Sequence, residues 1–253
     1  MKGSSDLKRR LSTLVDLWNE IITMWDSGKK VDREKVVDML KEAYNREKLS
    51  PLRGASVPED LYEKELISLY VVGRYGMGLD QQYPELFDAL FPDFIRYEEA
   101  IRILLTEDPE TARDRIKLLL GGLDDNTVAR MLRVKMTEAY FGFSDHRALI
   151  NLIKSLMKAF PEKERLAVKY TRFYIAFRVA EAIASGEVRD RISKEALKQA
   201  LALETGIERG AIPDDRYIEK IAVEVFKVPR KVLGGILLVK EGRRRPRQSS
   251  RSG

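Results

Sequence analysis

Apolar residues recur along this chain every three or four positions, and that spacing restricts most of it to helices. Leu7, Leu11, Leu14, Trp18, Ile21 and Trp25 are separated by four, three, four, three and four residues, so all six fall on one face of a helix. Val36, Leu40 and Tyr44 repeat the pattern behind Asp32, an expected N-cap. Asp108 followed by Pro109 predicts another helix start, because proline's missing donor costs nothing in a first turn, and Gly121 and Gly122 predict its end. Further helices are expected near 125–140, 145–160, 161–186, 193–206 and 214–227. The third of these carries Leu166, Tyr170, Phe173, Phe177, Ala180 and Ala184 as one stripe. Only Gly235 to Val239, GILLV, reads better as a strand.

The expected fold is therefore all-α, a multi-helix globular bundle of about eight to ten helices by the usual helix length, with at most one short β-hairpin near the C-terminus. No fixed-period repeat is present, which argues against a helical solenoid. The loops at 76–84 and 121–126 suggest subdomains at 1–120 and 121–239. Neither loop has a linker's composition, so one continuous core is the alternative.

Composition narrows the function classes. The chain has no cysteine, which removes disulfides, thiolate metal sites and cysteine nucleophiles and suits an intracellular setting. No apolar run has the length of a spanning helix, and MKGSSDLKRR lacks the apolar stretch of a secretion signal, so a cytoplasmic protein without a membrane partner is expected. Charged residues make up 34% of the chain against four Asn and four Gln, a balance expected of a thermophile.

The net charge of +6 is uneven. Residues 240–253, KEGRRRPRQSSRSG, hold Lys240, Arg243, Arg244, Arg245, Arg247 and Arg251 against Glu241. A segment with so little apolar content is expected to be disordered when free, and arginine's planar fork suits phosphate. Arg243, Arg244, Arg245 and Arg247 are the first candidates for nucleic-acid contact, followed by Arg230 and Lys231. On the long helix Arg165, Lys169 and Arg172 form a positive edge at steps of four and three, and Arg130 with Arg133 forms a shorter one. A solvated face with locally paired charges is the competing reading of each edge.

Val72 to Leu79, VGRYGMGL, places Gly73, Gly76 and Gly78 in a pattern that resembles the backbone-clamping loop of KH domains, with Arg74 as an added charge. The flanking sequence is helical where that fold needs strands, and neither a P-loop ending nor dinucleotide spacing is present. A helix end is the better reading: Gly76 or Gly78 left-handed, Met77 or Leu79 packing back, and Gly73 marking close approach of another helix. SPLRG, PEDLYEKELISLYVVGRYGMGLD and YPELFDALF, within residues 50–91, resemble a crenarchaeal family catalogued as a domain of unknown function. The resemblance extends more weakly over the N-terminal helices. It implies a thermophilic archaeal cytoplasm and carries no activity or site residues.

Catalytic signals are thin. His146, the single histidine, follows Ser144 and Asp145 at a helix start, where the three side chains point different ways; Ser144 reads as a cap and His146 as a partly exposed first-turn residue. The acidic pairs Asp124/Asp125 and Asp214/Asp215 read as helix-dipole partners, and Glu98/Glu99 is a further pair. No catalytic residue, cofactor or metal ligand is assigned. The first expectation is a non-catalytic protein bound to structured RNA, ribosomal RNA or a ribonucleoprotein being favoured. The alternatives are a protein–protein adaptor, which predicts an exposed apolar patch, and a metal-dependent enzyme acting on nucleic acid, which predicts three or more converging carboxylates.

Overall fold

The computed structural model describes residues 3–49, 61–207 and 211–238. Thirteen α-helices occur among them: α1 (Gly3–Asp26), α2 (Arg33–Arg46), α3 (Leu61–Val71), α4 (Leu79–Gln82), α5 (Pro84–Leu90), α6 (Pro92–Thr106), α7 (Pro109–Leu120), α8 (Asp125–Phe141), α9 (His146–Ala159), α10 (Glu164–Ser185), α11 (Arg191–Thr205), α12 (Asp215–Glu224) and α13 (Arg230–Leu233). The fold is all-α, with more helices than the eight to ten expected. The excess lies in α4, α5 and α13, each of two turns or fewer. Pro84 and Pro92 stand at the starts of α5 and α6, where each prevents the preceding turn from continuing as one helix.

No β-hairpin forms among the described residues. Residues 234–238 turn instead, with the amides of Ile236 and Leu237 both donating to Leu233 O, at 2.9 and 2.8 Å. Ile236 and Leu237 are buried, so the apolar run that suggested a strand is spent on core contacts, and no second strand among the described residues takes its backbone groups.

Side-chain caps set the long elements. Asp32, Asp108, Asp124, Asp145, Asp190 and Asp214 each accept from backbone amides in the first turn of the helix that follows. Asp145, not Ser144, caps α9. Gly121, Gly142, Gly186 and Gly206 close α7, α8, α10 and α11 in left-handed conformation.

α3 runs into a π-turn over Val72–Gly76, closed by Met77 N–H to Val72 O at 3.1 Å. The three glycines around it have separate roles. A Cβ on Gly73 would lie 2.6 Å from the Trp18 ring, so α1 can approach only because this position has no side chain. A Cβ on Gly76 would meet Phe143 at 2.9 Å, and Gly78 alone is left-handed, with φ of +66°. Trp18 donates from Nε1 to Leu69 O at 2.8 Å and its ring stacks on Phe87, with centroids 5.6 Å apart. Tyr70, Phe91 and Phe94 complete this aromatic cluster. Beside it Arg10 of α1, Tyr44 of α2 and Glu65 of α3 form a buried polar triad, in which Tyr44 Oη donates to Glu65 at 2.8 Å.

α8 packs on α3 and α6, and α9 on α6 and α7, so contacts cross the 120/121 junction. Buried side chains from both sides of that junction belong to one continuous cluster. α10 is sandwiched by α9, α11 and α12 and buries more than its expected stripe, adding Ala167, Tyr174, Ile175, Ala176, Val179 and Ile183.

Candidate nucleic-acid interface

The first half of α10 carries a basic edge, with Arg165 and Lys169 exposed and Arg172 half-buried. α12 crosses α10 and supplies Tyr217, and together they enclose a groove of about 460 Å³ lined by Arg165, Val168, Lys169, Arg172 and Tyr217. No carboxylate lines it. Arg172 Nε is buried and has no hydrogen-bond acceptor, and neither Arg165 nor Arg172 has an acidic partner among the described residues. A half-buried guanidinium without a carboxylate is costly unless an anion is supplied. Burial pushes the Tyr217 phenol up from its ordinary value, partly offset by the charge of Arg172.

Tyr217 also lines a second groove of about 440 Å³ with Asp214, Arg216, Glu219, Lys220, Glu224 and Arg230. Its charges are mixed. Arg230 lies 3.6 Å from Glu219, so that cation already has a partner, while Lys231 stands exposed on α13. Buried Lys194 of α11 pairs with Asp215, which also accepts from the Leu238 amide at 2.7 Å, and Lys198 lies 3.5 Å from the same carboxylate. Burial would raise the Asp215 carboxyl, but Lys194, the Leu238 amide and Lys198 overcome that and hold it below the ordinary carboxylate value. Of the acidic pairs, then, Asp214 caps α12 and Asp215 is an ionic anchor; likewise Asp124 caps α8 and Asp125 binds Lys163 at 2.7 Å.

A family model described as "Uncharacterized protein conserved in archaea (DUF2192)" matches residues 5–237. The chain belongs to this archaeal family. The match runs well beyond residues 50–91, where the resemblance was read in the sequence. No curated protein and no solved structure matches the DUF2192 chain. The matched span contains both grooves and ends before Arg243.

The sequence-based candidates thus divide. Arg165, Lys169 and Arg172 come together in one groove of the DUF2192 fold, and Arg230 borders the next. Arg74 belongs elsewhere: it donates to Tyr70 Oη at 2.6 Å, lies 3.5 Å from Asp80 and sits over the Tyr70 and Tyr75 rings. Arg133 is buried and Arg130 reaches Tyr97 Oη at 3.4 Å, so that edge is not a solvent-facing one. Arg243, Arg244, Arg245 and Arg247 lie outside the described residues. Tyr217, Arg216 and Lys220 were missed in the sequence. Their signal was present in DDRYIEK, where Arg216 and Lys220 flank the buried Ile218 and Ile221 at helical spacing.

A second missed constellation joins α6, α8 and the π-turn. Lys135 Nζ lies 2.8 Å from Glu138 and 3.5 Å from Glu98, and Tyr75 donates to Glu98 at 2.8 Å. Burial pushes the Glu138 carboxyl up to about 7 against the pull of Lys135, and the neighbouring Glu98 adds to the rise. No group of three or more His, Asp or Glu side chains is arranged to hold a metal ion among the described residues. His146 is half-buried beside Tyr174; burial and the charge of Arg178 push it down to about 4, so it is neutral at pH 7. No helix among the described residues is long and apolar enough to cross a membrane.

Proposed function

We propose that this protein is a non-catalytic RNA-binding protein that holds structured RNA, ribosomal RNA in a ribonucleoprotein being favoured, through phosphate contacts in the α10/α12 groove. The observation that carries this reading is the convergence of Arg165, Lys169 and Arg172 in a groove lined by no carboxylate. Solvated basic faces ordinarily neutralise themselves with local acids, as Arg113 does with Glu162 and Arg102 with Glu99. This one does not. Asp215 holds the Leu238 amide to α12, and the Arg-rich sequence after Leu238 adds further charge for phosphate contact.

The test is sedimentation of the full chain from an archaeal lysate through a sucrose gradient, with and without RNase and at low and high salt. Comigration with ribosomal particles, lost on RNase treatment or with salt, is the expected result. A light, RNase-indifferent protein would favour the adaptor reading. That reading has one observation behind it: Ile192 and Leu203, 83% and 84% exposed, share a face of α11 three turns apart.

A further inference from the structure

The ring of Tyr217 lies between two grooves of unlike chemistry, one whose charged lining is Arg165, Lys169 and Arg172 and the other lined by Asp214, Glu219 and Glu224 as well as Arg216 and Lys220. Its phenol oxygen makes no hydrogen bond among the described residues, and Tyr217 is only half-buried although its ring packs against the core. A phosphate matches the first groove, where every polar side chain donates apart from the Tyr217 hydroxyl, which can do both. A base edge, which carries donors and acceptors together, matches the second, where the Glu224 carboxylate has no cationic partner among the described residues. Each groove, at about 440 to 460 Å³, is at the small end of ligand-site sizes.

We propose that Tyr217 is a stacking platform for an unpaired base, with the adjoining phosphate held by Arg165, Lys169 and Arg172 and the base edge turned toward Glu224 and Lys220. The inference rests on the RNA-binding reading and adds to it the class of RNA. A duplex keeps its base faces stacked inside and offers only phosphates and groove edges. A loop, bulge or single-stranded end can splay a base onto an aromatic ring. The RNA segment seated here is therefore single-stranded.

The experiment uses the full chain with a short single-stranded oligoribonucleotide carrying a fluorescent adenine analogue, beside a blunt RNA duplex of the same sequence. Wild type is expected to prefer the single strand and to alter the analogue's emission on binding. Tyr217→Phe should preserve both properties. Tyr217→Leu should abolish the emission change and weaken single-strand binding about tenfold or more, with duplex binding unchanged. Tyr217→Trp gives a readout independent of the Leu variant's folding: the unlabelled oligomer should quench its added emission, while Trp18 and Trp25 on α1 stay silent.

Equal affinity for duplex and single strand, or an emission change that survives Tyr217→Leu, would overturn the platform. If Arg165→Glu/Lys169→Glu/Arg172→Glu still abolished RNA binding, the RNA reading would stand without the platform. Absence of binding to either RNA would remove both.

Discussion

Gly73 shows how one missing side chain fixes the packing of three elements. The Trp18 ring fills the space where its Cβ would be, and the indole N–H is committed to Leu69 O in the same turn. Gly73→Ala is expected to cost about 1–3 kcal/mol through overpacking. Gly235→Ala, at a position where an added Cβ meets nothing within 4 Å, should be near neutral in the same denaturant titration. This role was legible in outline, since a glycine inside a helical pattern needs a close neighbour, but the identity of that neighbour was not. Glu138 was illegible, because its partners Glu98 and Tyr75 come from α6 and the π-turn, distant in sequence. Its folded-state carboxyl titrates near 7, above the ordinary 4.5, so it favours folding fully below pH 4.5, and that contribution is lost as pH rises through 7. Lys135, Glu98 and Tyr75 are the charged and titratable groups around it. Glu138→Gln should therefore leave stability nearly unchanged at about pH 4 to 5 and raise it at about pH 8, by at most about 3 kcal/mol. Stability curves that stay parallel across this range would contradict the assignment.

At the scale of elements, helices announced themselves wherever a cap and a periodic stripe agreed. Asp108–Pro109 with Gly121 bounds α7 to the residue, and Asp32 and Asp214 mark their helices as directly. Where tertiary packing decided instead, the sequence misled. The apolar run at 235–239 looked extended because its residues are β-formers, yet Ile236 and Leu237 are recruited into the core by the turn after α13. The edge at Arg130 and Arg133 looked solvated, but α8 lies between α3, α6 and α9, and only Asp125 and Asn126, in its first turn, are exposed. Lys194 of α11 carries no local signal of burial; it is fully buried and pairs with Asp215 and Glu195. Asp215→Ala leaves that ammonium with Glu195 alone, 3.0 Å away, and frees the Leu238 amide, so a loss of about 3 kcal/mol is expected. Lys194→Met combined with Asp215→Leu should recover much of it, because an apolar pair removes both buried charges. A double variant no better than Asp215→Ala would show that the Leu238 tether, and not the ion pair, carries the stability.

For the molecule as a whole, the continuous burial across the 120/121 junction implies that helices on both sides unfold together, so calorimetry should record one transition. The all-α class was readable from spacing alone, whereas the site was half readable. The cations of α10 are visible as a run, but their convergence with Tyr217 depends on how α12 crosses α10, which no local pattern encodes. The central claim is that this groove binds RNA through its phosphates, and salt dependence tests it most directly. Binding of a labelled stem-loop RNA would be measured from about 50 to about 200 mM salt for wild type, for Arg165→Glu/Lys169→Glu/Arg172→Glu and for a chain ending at residue 239. The account predicts a steep loss of affinity with salt for wild type, a slope shallower by about 2 for the groove variant, and a further independent reduction on removal of the basic segment. A groove variant that binds with wild-type affinity and slope would contradict it.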